Sequence, residues 1–257
     1  MVDTAPAPQS PAAQAGAAQA STAQSPAAQT PASQTLSRGI RILEILADAR
    51  TALTIDEVAA RLGVHRSVAY RLLRTLEDHR LITRDSSGAV ALGARMAALA
   101  AGVAHDLQAE ALPELTAVAN DLGMTCLLAV LDGDECTTLV SVEPRHAVAS
   151  VAQRPGARHP ITLGAPGKAI LSQLAPEARP QLEAELRTEV EQIATLGYAT
   201  SHDEVIPTVR SVAVPLRVRG QRPAAIAVVH VASPVPETEI AAQLRQAAAV
   251  IRSALEG

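Results

Sequence analysis

Phenylalanine and tryptophan are missing from this 257-residue chain, and lysine occurs once among abundant alanine and arginine. That bias reads as the codon usage of a GC-rich genome and excludes no function. Cysteine is nearly absent as well. Cys126 and Cys136 are the only two, which excludes a disulfide framework and leaves a redox pairing between them as the residual alternative. No apolar run approaches the length of a membrane span. The opening MVDTAPAPQS has neither the basic region nor the apolar core of a secretory signal, so the expectation is a cytoplasmic protein with reduced thiols. The seven histidines are scattered, with no close pair and no Cys-x-x-Cys, so neither a metal site nor a cofactor is expected. An enzyme would need a nucleophile beside a base. Cys126 with a histidine is the best pair available, and nothing in its spacing recommends it.

Charge is in short supply overall, with a net of −4, but it is unevenly placed. Residues 36–95 hold ten arginines against seven acids, a net of +3. Residues 96–257 hold twelve basic residues against eighteen acids, a net of −6. A mildly basic module joined to an acidic one fits DNA binding plus a second task. Because the excess is small, affinity should come from doubling the site through dimerisation. Residues 1–35 are almost wholly Ala, Gln, Pro, Ser and Thr, a composition that cannot bury enough surface to offset its ordering entropy. A disordered tail is expected there.

The most informative stretch is TIDEVAARLGVHRSVAYRLLRTLE, residues 54–77. Thr54 and Glu57 have capping-box spacing, which starts a helix near Ile55, and Gly63 suits the left-handed residue that ends it. In the next helix Ala69, Leu72, Leu73 and Leu76 recur at i, i+3, i+4 and i+7 and should face a core. Ser67, Tyr70, Arg71 and Arg74 take the opposite face at the same spacing. Arg66 stands at the helix start, where a major-groove helix presents side chains to base edges. Arginine can grip a guanine edge or a phosphate bidentately, serine can bond either, and tyrosine can reach phosphate or pack on a thymine methyl. Solvation alone would also account for such a face, so its surroundings must decide.

Those surroundings complete a motif. SRGIRILEILADA places Ile40, Leu43, Ile45 and Leu46 along a covering helix. HRLITRDSSGAVAL reads as a strand, a tight turn at Asp85–Gly88 and a second strand. Three helices and a hairpin make a winged helix-turn-helix, with Arg84 and the Ser86–Ser87–Gly88 tip near the duplex backbone. Beyond it, residues 93–106 read as an Ala-rich connector helix with Met96, Leu99 and Val103 on one side. A second helix, entered through Leu112–Pro113, is expected to end near Asn120. Strands are expected at Cys126–Leu131, Thr137–Val142, Ala147–Gln153, Ser211–Arg217 and Ala224–Val231. Helices are expected around Pro166–Leu174, Pro176–Thr188 and Glu237–Leu255. The first two strands carry a hairpin signal at Asp132–Gly133–Asp134.

SRGIRILEILA, LTIDEVAARLGVHRSVAYRLLRTLEDHRLITRD and VALG resemble the DNA-binding domain of the IclR family of bacterial transcriptional regulators. The similarity continues in order through the connector to HPITLGAPGKAILSQL and GYATSHDEVIPTVRSVAVPLR, and covers about residues 36–255. The fold class it implies is α+β: a winged helix-turn-helix over 36–92, a linker helix over 93–106, and a GAF-like α/β effector-binding and oligomerisation domain over 107–257. The function it implies is regulation from a pseudo-palindromic promoter site, bound as a dimer or tetramer and modulated by a small molecule. The alternative is a DNA-binding regulator whose C-terminal domain only oligomerises.

The loop TLGAPGKA brings Thr162, Gly164 and Ala165 to a helix start, where backbone N–H groups favour an anion such as a carboxylate. Matching the family pattern puts Gly164 and Ala165 on its loop contacts, Val209 and Ser211 on a strand facing the ligand, and Asp203 in the preceding loop. Where the family alternates serines on the last strand, this chain has Ala227 and Val229, or Val228 and His230 in the other register. That departure makes the pocket more apolar and leans towards a less polar ligand. His159 and His202 flank these segments. GAPGKA is no P-loop, since the glycine required five residues before Gly167 is Thr162 and Lys168 is followed by Ala169.

Overall fold

The computed structural model describes residues 33–146, 151 and 153–257, which divide into two compact units between Ala98 and Leu99. Most of the expected tail, residues 1–32, lies outside the described residues.

In the first unit α1 (Gln34–Ala49), α2 (Ile55–Leu62) and α3 (Arg66–Asp78) precede a hairpin of β1 (Ile82–Arg84) and β2 (Val90–Leu92). The capping box forms. Glu57 N–H donates to Thr54 Oγ1 at 3.3 Å, and Thr54 N–H donates to Glu57 Oε2 at 2.8 Å. Those bonds to Thr54 hold the Glu57 carboxyl below the usual range. Gly63 ends α2 at φ 68°, a backbone that costs glycine nothing. Ile42, Ile45, Leu46, Leu53, Val58, Leu73, Leu76, Ile82 and Val90 close one core. Ile40, expected inside, is exposed, and Ile42 takes the inner position. The wing turn is held by Asp85, whose Oδ1 accepts from Ser87 N–H and Ala89 N–H, both at 2.9 Å.

The connector differs from its expectation. Helix α4 stops at Ala100, and α5 runs His105–Leu122 after a turn that ends on Ala104 at φ 45°. Pro113 lies inside α5 and does not start it. Its missing N–H breaks one rung of the ladder, and Leu107, Ala111, Leu115, Val118 and Ala119 bury the helix on both sides of that rung.

The second unit is built on one six-stranded antiparallel sheet in the order β5-β4-β3-β8-β7-β6. Its strands are β3 (Thr125–Asp132), β4 (Glu135–Val142), β5 (Arg158–Pro160), β6 (Ala199–His202), β7 (Arg210–Leu216) and β8 (Ala224–His230). Because side chains alternate across a strand, β3 sends Cys126, Leu128 and Val130 to one face with α5 and α8 (Glu237–Glu256). Leu127 and Ala129 go to the other face with α6 (Gly164–Leu171) and α7 (Ala184–Leu196). Cys136 joins this second face. The two thiols therefore sit in opposite layers, both free, and burial pushes each up to about 12. A disulfide between them is excluded.

The helix expected at Pro176–Thr188 is replaced by a single 3-10 turn, Pro176–Ala178, and α7 begins only at Ala184. Pro180 explains this, since the residue before a proline is pushed out of the helical region, and Arg179 is extended at φ −80°, ψ 147°. Strands β5 and β6 were not expected. The strand expected over Ala147–Gln153 falls mainly on 147–150 and 152, outside the described residues.

His230 ends β8 on the α5–α8 side, 9% exposed, with neither ring nitrogen hydrogen-bonded among the described residues. Desolvation and then the Arg210 guanidinium opposite it lower its pKa from the ordinary 6.5. The native state thus takes up this proton at lower pH than the unfolded chain does. Its contribution to stability is full above about pH 6.5 and is lost as the pH falls below that value. Between pH 7.5 and 5.5 the melting temperature should fall, and His230→Val should flatten that slope. Equal slopes in a thermal-melt series would refute the assignment.

Candidate functional site

On α3 the two faces separate as the periodicity requires. Ala69, Leu73 and Leu76 are buried, Leu72 is half-buried, and Ser67, Tyr70, Arg71 and Arg74 are exposed. Among the described residues the Arg71 and Arg74 guanidinium groups have no partner. Arg66 is different, because it is paired with Asp56 of α2. Arg84 turns back from the wing to Glu77 Oε2 at 3.2 Å and to the Gly88 carbonyl at 3.1 Å. At 22% side-chain exposure it fastens the hairpin to α3. Ser67 Oγ lies 2.9 Å from His65 Nδ1, and His65 is the cap of α3.

In the second unit a cavity of about 40 Å³ opens between the α6 end of the sheet and the segment joining β6 to β7. Gly164, Val209, Ser211 and Val229 line it. Thr162, Ala165, Asp203 and Ala227 do not. Ala227 is fully buried in the core layer on that side of the sheet, and the Ala165 N–H donates to Ser201 Oγ at 3.0 Å. Asp203 is left-handed at φ 62°, and its Oδ1 accepts from Thr208 N–H, closing the loop on itself. It lies beside His202, which also faces away from the cavity, whereas His159 is on the wall. Val228 packs in the α5–α8 layer, so Ala227 and Val229 take the sheet face that carries the cavity, although only Val229 lines it.

Sequence reasoning missed Cys136, Thr138, Gln153, Ser201 and Glu204 on this wall. Glu204 matters most. Its Oε2 accepts from Gly164 N–H at 2.8 Å, and its Oε1 accepts from Lys168 Nζ at 2.7 Å. Lys168, the only lysine, is 3% exposed and also reaches Glu189 Oε1 at 2.6 Å. The first free N–H of α6, where a ligand carboxylate was expected, is thus occupied by a carboxylate of the chain itself. That placement suits the positive end of the helix dipole. Helix α6 presses closely on the turn that leads into it, since a Cβ on Gly167 would stand 2.4 Å from the Ile161 carbonyl oxygen.

A winged helix-turn-helix with a free arginine face, followed by an antiparallel α/β domain with a small cavity, defines a DNA-binding transcriptional regulator. Residues 35–86 match the IclR helix-turn-helix domain, and residues 100–253 match the bacterial transcriptional regulator IclR C-terminal domain. The chain belongs to the IclR family of bacterial transcriptional regulators, a family not known to be enzymatic. It is 28% identical to the HTH-type transcriptional regulator XynR of Escherichia coli over 245 residues, 86% of this chain and 96% of that one. It is also 28% identical to the glycerol operon regulatory protein of Streptomyces griseus over 243 residues, 84% of this chain and 94% of the other. Among solved structures, an IclR homologue of Microbacterium hydrocarbonoxydans complexed with 4-hydroxybenzoate matches with a TM-score of 0.73 at 28% identity. That match covers 86% of this chain and 99% of the homologue. No described helix is long and apolar enough to cross a membrane.

Proposed function

We propose that this regulator binds a pseudo-palindromic promoter site as a dimer or tetramer in the cytoplasm, through Arg66, Ser67, Tyr70, Arg71 and Arg74 of each recognition helix, with Arg84 setting the wing. The observation that carries the reading is the pair of guanidinium groups on Arg71 and Arg74, exposed and unpartnered among the described residues, on a face the core does not use. Residues 36–92 carry DNA binding, 93–106 the connection, and 107–257 sensing and assembly. Leu99, Val103 and Leu112, exposed at 56%, 52% and 50%, support a partner chain packed along that region.

The effector is a small carboxylate with an apolar body. Leu127, Ala129, Val205, Ile206, Val209 and Val229 supply the apolar wall, Ser201 and Ser211 supply polar groups, and the Gly164 N–H would join them once Glu204 releases it. The Microbacterium homologue's 4-hydroxybenzoate belongs to this class. Effector binding would change operator affinity through the connectors, and the coupling must be reciprocal.

Thermal melts with a panel of monocarboxylates, 4-hydroxybenzoate included, test the proposal together with operator titrations. Stabilisation should approach ~2.7 kcal/mol at a hundredfold excess over Kd, and operator affinity should change with the same ligand. Intact operator binding with no stabilisation by any acid would instead favour a C-terminal domain that only oligomerises.

A further inference from the structure

The cavity is far too small for the role just assigned to it. Ligand pockets measure roughly 300–1,000 Å³, and this one measures about 40 Å³. What fills the difference is the segment between β6 and β7. Val205 and Ile206 stand on the cavity wall and are 42% and 39% exposed. A side chain on Gly164 would meet Val205 at 3.0 Å, so the segment lies directly on the start of α6. Its polar anchorage to α6 rests on one side chain, since Glu204 is the residue of this segment that bonds both the α6 backbone and the buried Lys168.

We propose that residues 203–209 are a lid, and that the Glu204 carboxylate is its latch and a tethered stand-in for the effector's carboxylate. This rests on the effector reading above. Lys168, Glu189 and Glu204 together carry one positive and two negative charges, a net of −1. A second anion cannot enter beside Glu204 without like-charge repulsion. When Glu204 swings out, Lys168 keeps Glu189 as a partner, and the Gly164 N–H is left free for an incoming carboxylate. The charge count is then restored, and the 203–209 segment has moved by the width of the ligand's apolar body. Effector binding therefore displaces a defined loop, and an apolar molecule lacking the acid cannot replace the latch. Apparent affinity is reduced by the fraction of time the lid is closed, and removing the latch removes that tax.

Cys136 reports the lid without any ligand. It lines the cavity at 1% exposure, while Cys126 lies in the opposite layer at 0% and serves as the control for general unfolding. Full-length wild type, Glu204→Ala and Glu204→Gln would be treated with N-ethylmaleimide, and labelling at each cysteine followed by mass spectrometry. Both variants should label Cys136 roughly tenfold faster with Cys126 unchanged, as local opening requires. Glu204→Gln preserves side-chain volume, so lost packing cannot account for its effect. Calorimetric titration with benzoate should show roughly tenfold tighter binding to the variants, and benzamide should show no gain. Equal labelling of Cys136 in all three proteins, or parallel acceleration at both cysteines, overturns the latch. If benzoate binds wild type and variants alike, the effector site stands and the latch falls. If Cys136 opens but no acid binds, the latch stands and the effector reading falls.

Discussion

Arg71→Ala is expected to weaken operator binding by about 1–3 kcal/mol per recognition helix if the side chain reads a base, and to relax specificity at that base pair. If Arg71 or Arg74 instead holds phosphate, its alanine variant should weaken all sequences equally and reduce the salt slope by about 1. Both guanidinium groups are exposed and, among the described residues, free of protein partners, so no described residue competes with DNA for them. Arg66 must first give up Asp56, and Arg84 is committed to Glu77 and the Gly88 carbonyl. The order of loss on alanine substitution should therefore be Arg71 and Arg74 first, then Arg66, with Arg84 acting through the stability of the wing. Genome-wide mapping of bound sites supplies the operator, and titrations at two salt concentrations supply the affinities. Unchanged affinity for both Arg71→Ala and Arg74→Ala in a folded protein would remove α3 as the reading face.

The separation of faces on α3 was legible because helix periodicity is local. The capping box and Gly63 were legible for the same reason, each bond spanning three or four residues. The cavity was not. Its decisive contacts join Gly164 to Glu204 and Ala165 to Ser201, 40 and 36 residues apart, and no period in the sequence links them. Asp203 and Glu204 are both acidic neighbours in the same loop. A left-handed backbone at Asp203 turns its carboxylate onto Thr208 and leaves Glu204 to reach α6. Strand β5 was hidden for a different reason. It is three residues long and ends in proline on the sheet edge, where a missing donor is tolerated.

The largest stability effect is expected from removing both carboxylates around Lys168. Glu189→Gln and Glu204→Gln should each cost only about 0.5–1.5 kcal/mol, because each leaves the ammonium one carboxylate within 2.6–2.7 Å. These acids are 38% and 29% exposed, so solvent screens their own share of the attraction. Lys168 has no such relief at 3% exposure. The double variant strands its charge in the interior and should cost about 3–5 kcal/mol, well beyond the sum of the singles. Adding Lys168→Met should recover most of that loss, since an apolar side chain of similar length needs no partner. Urea unfolding of the four proteins measures the cycle, and additivity within about 0.5 kcal/mol would refute it. The same redundancy makes the lid workable. Glu189 lies on α7, outside the moving segment, so Lys168 remains compensated whenever Glu204 leaves. Opening then costs the latch bonds and the Val205 and Ile206 contacts along the cavity wall, but strands no buried charge.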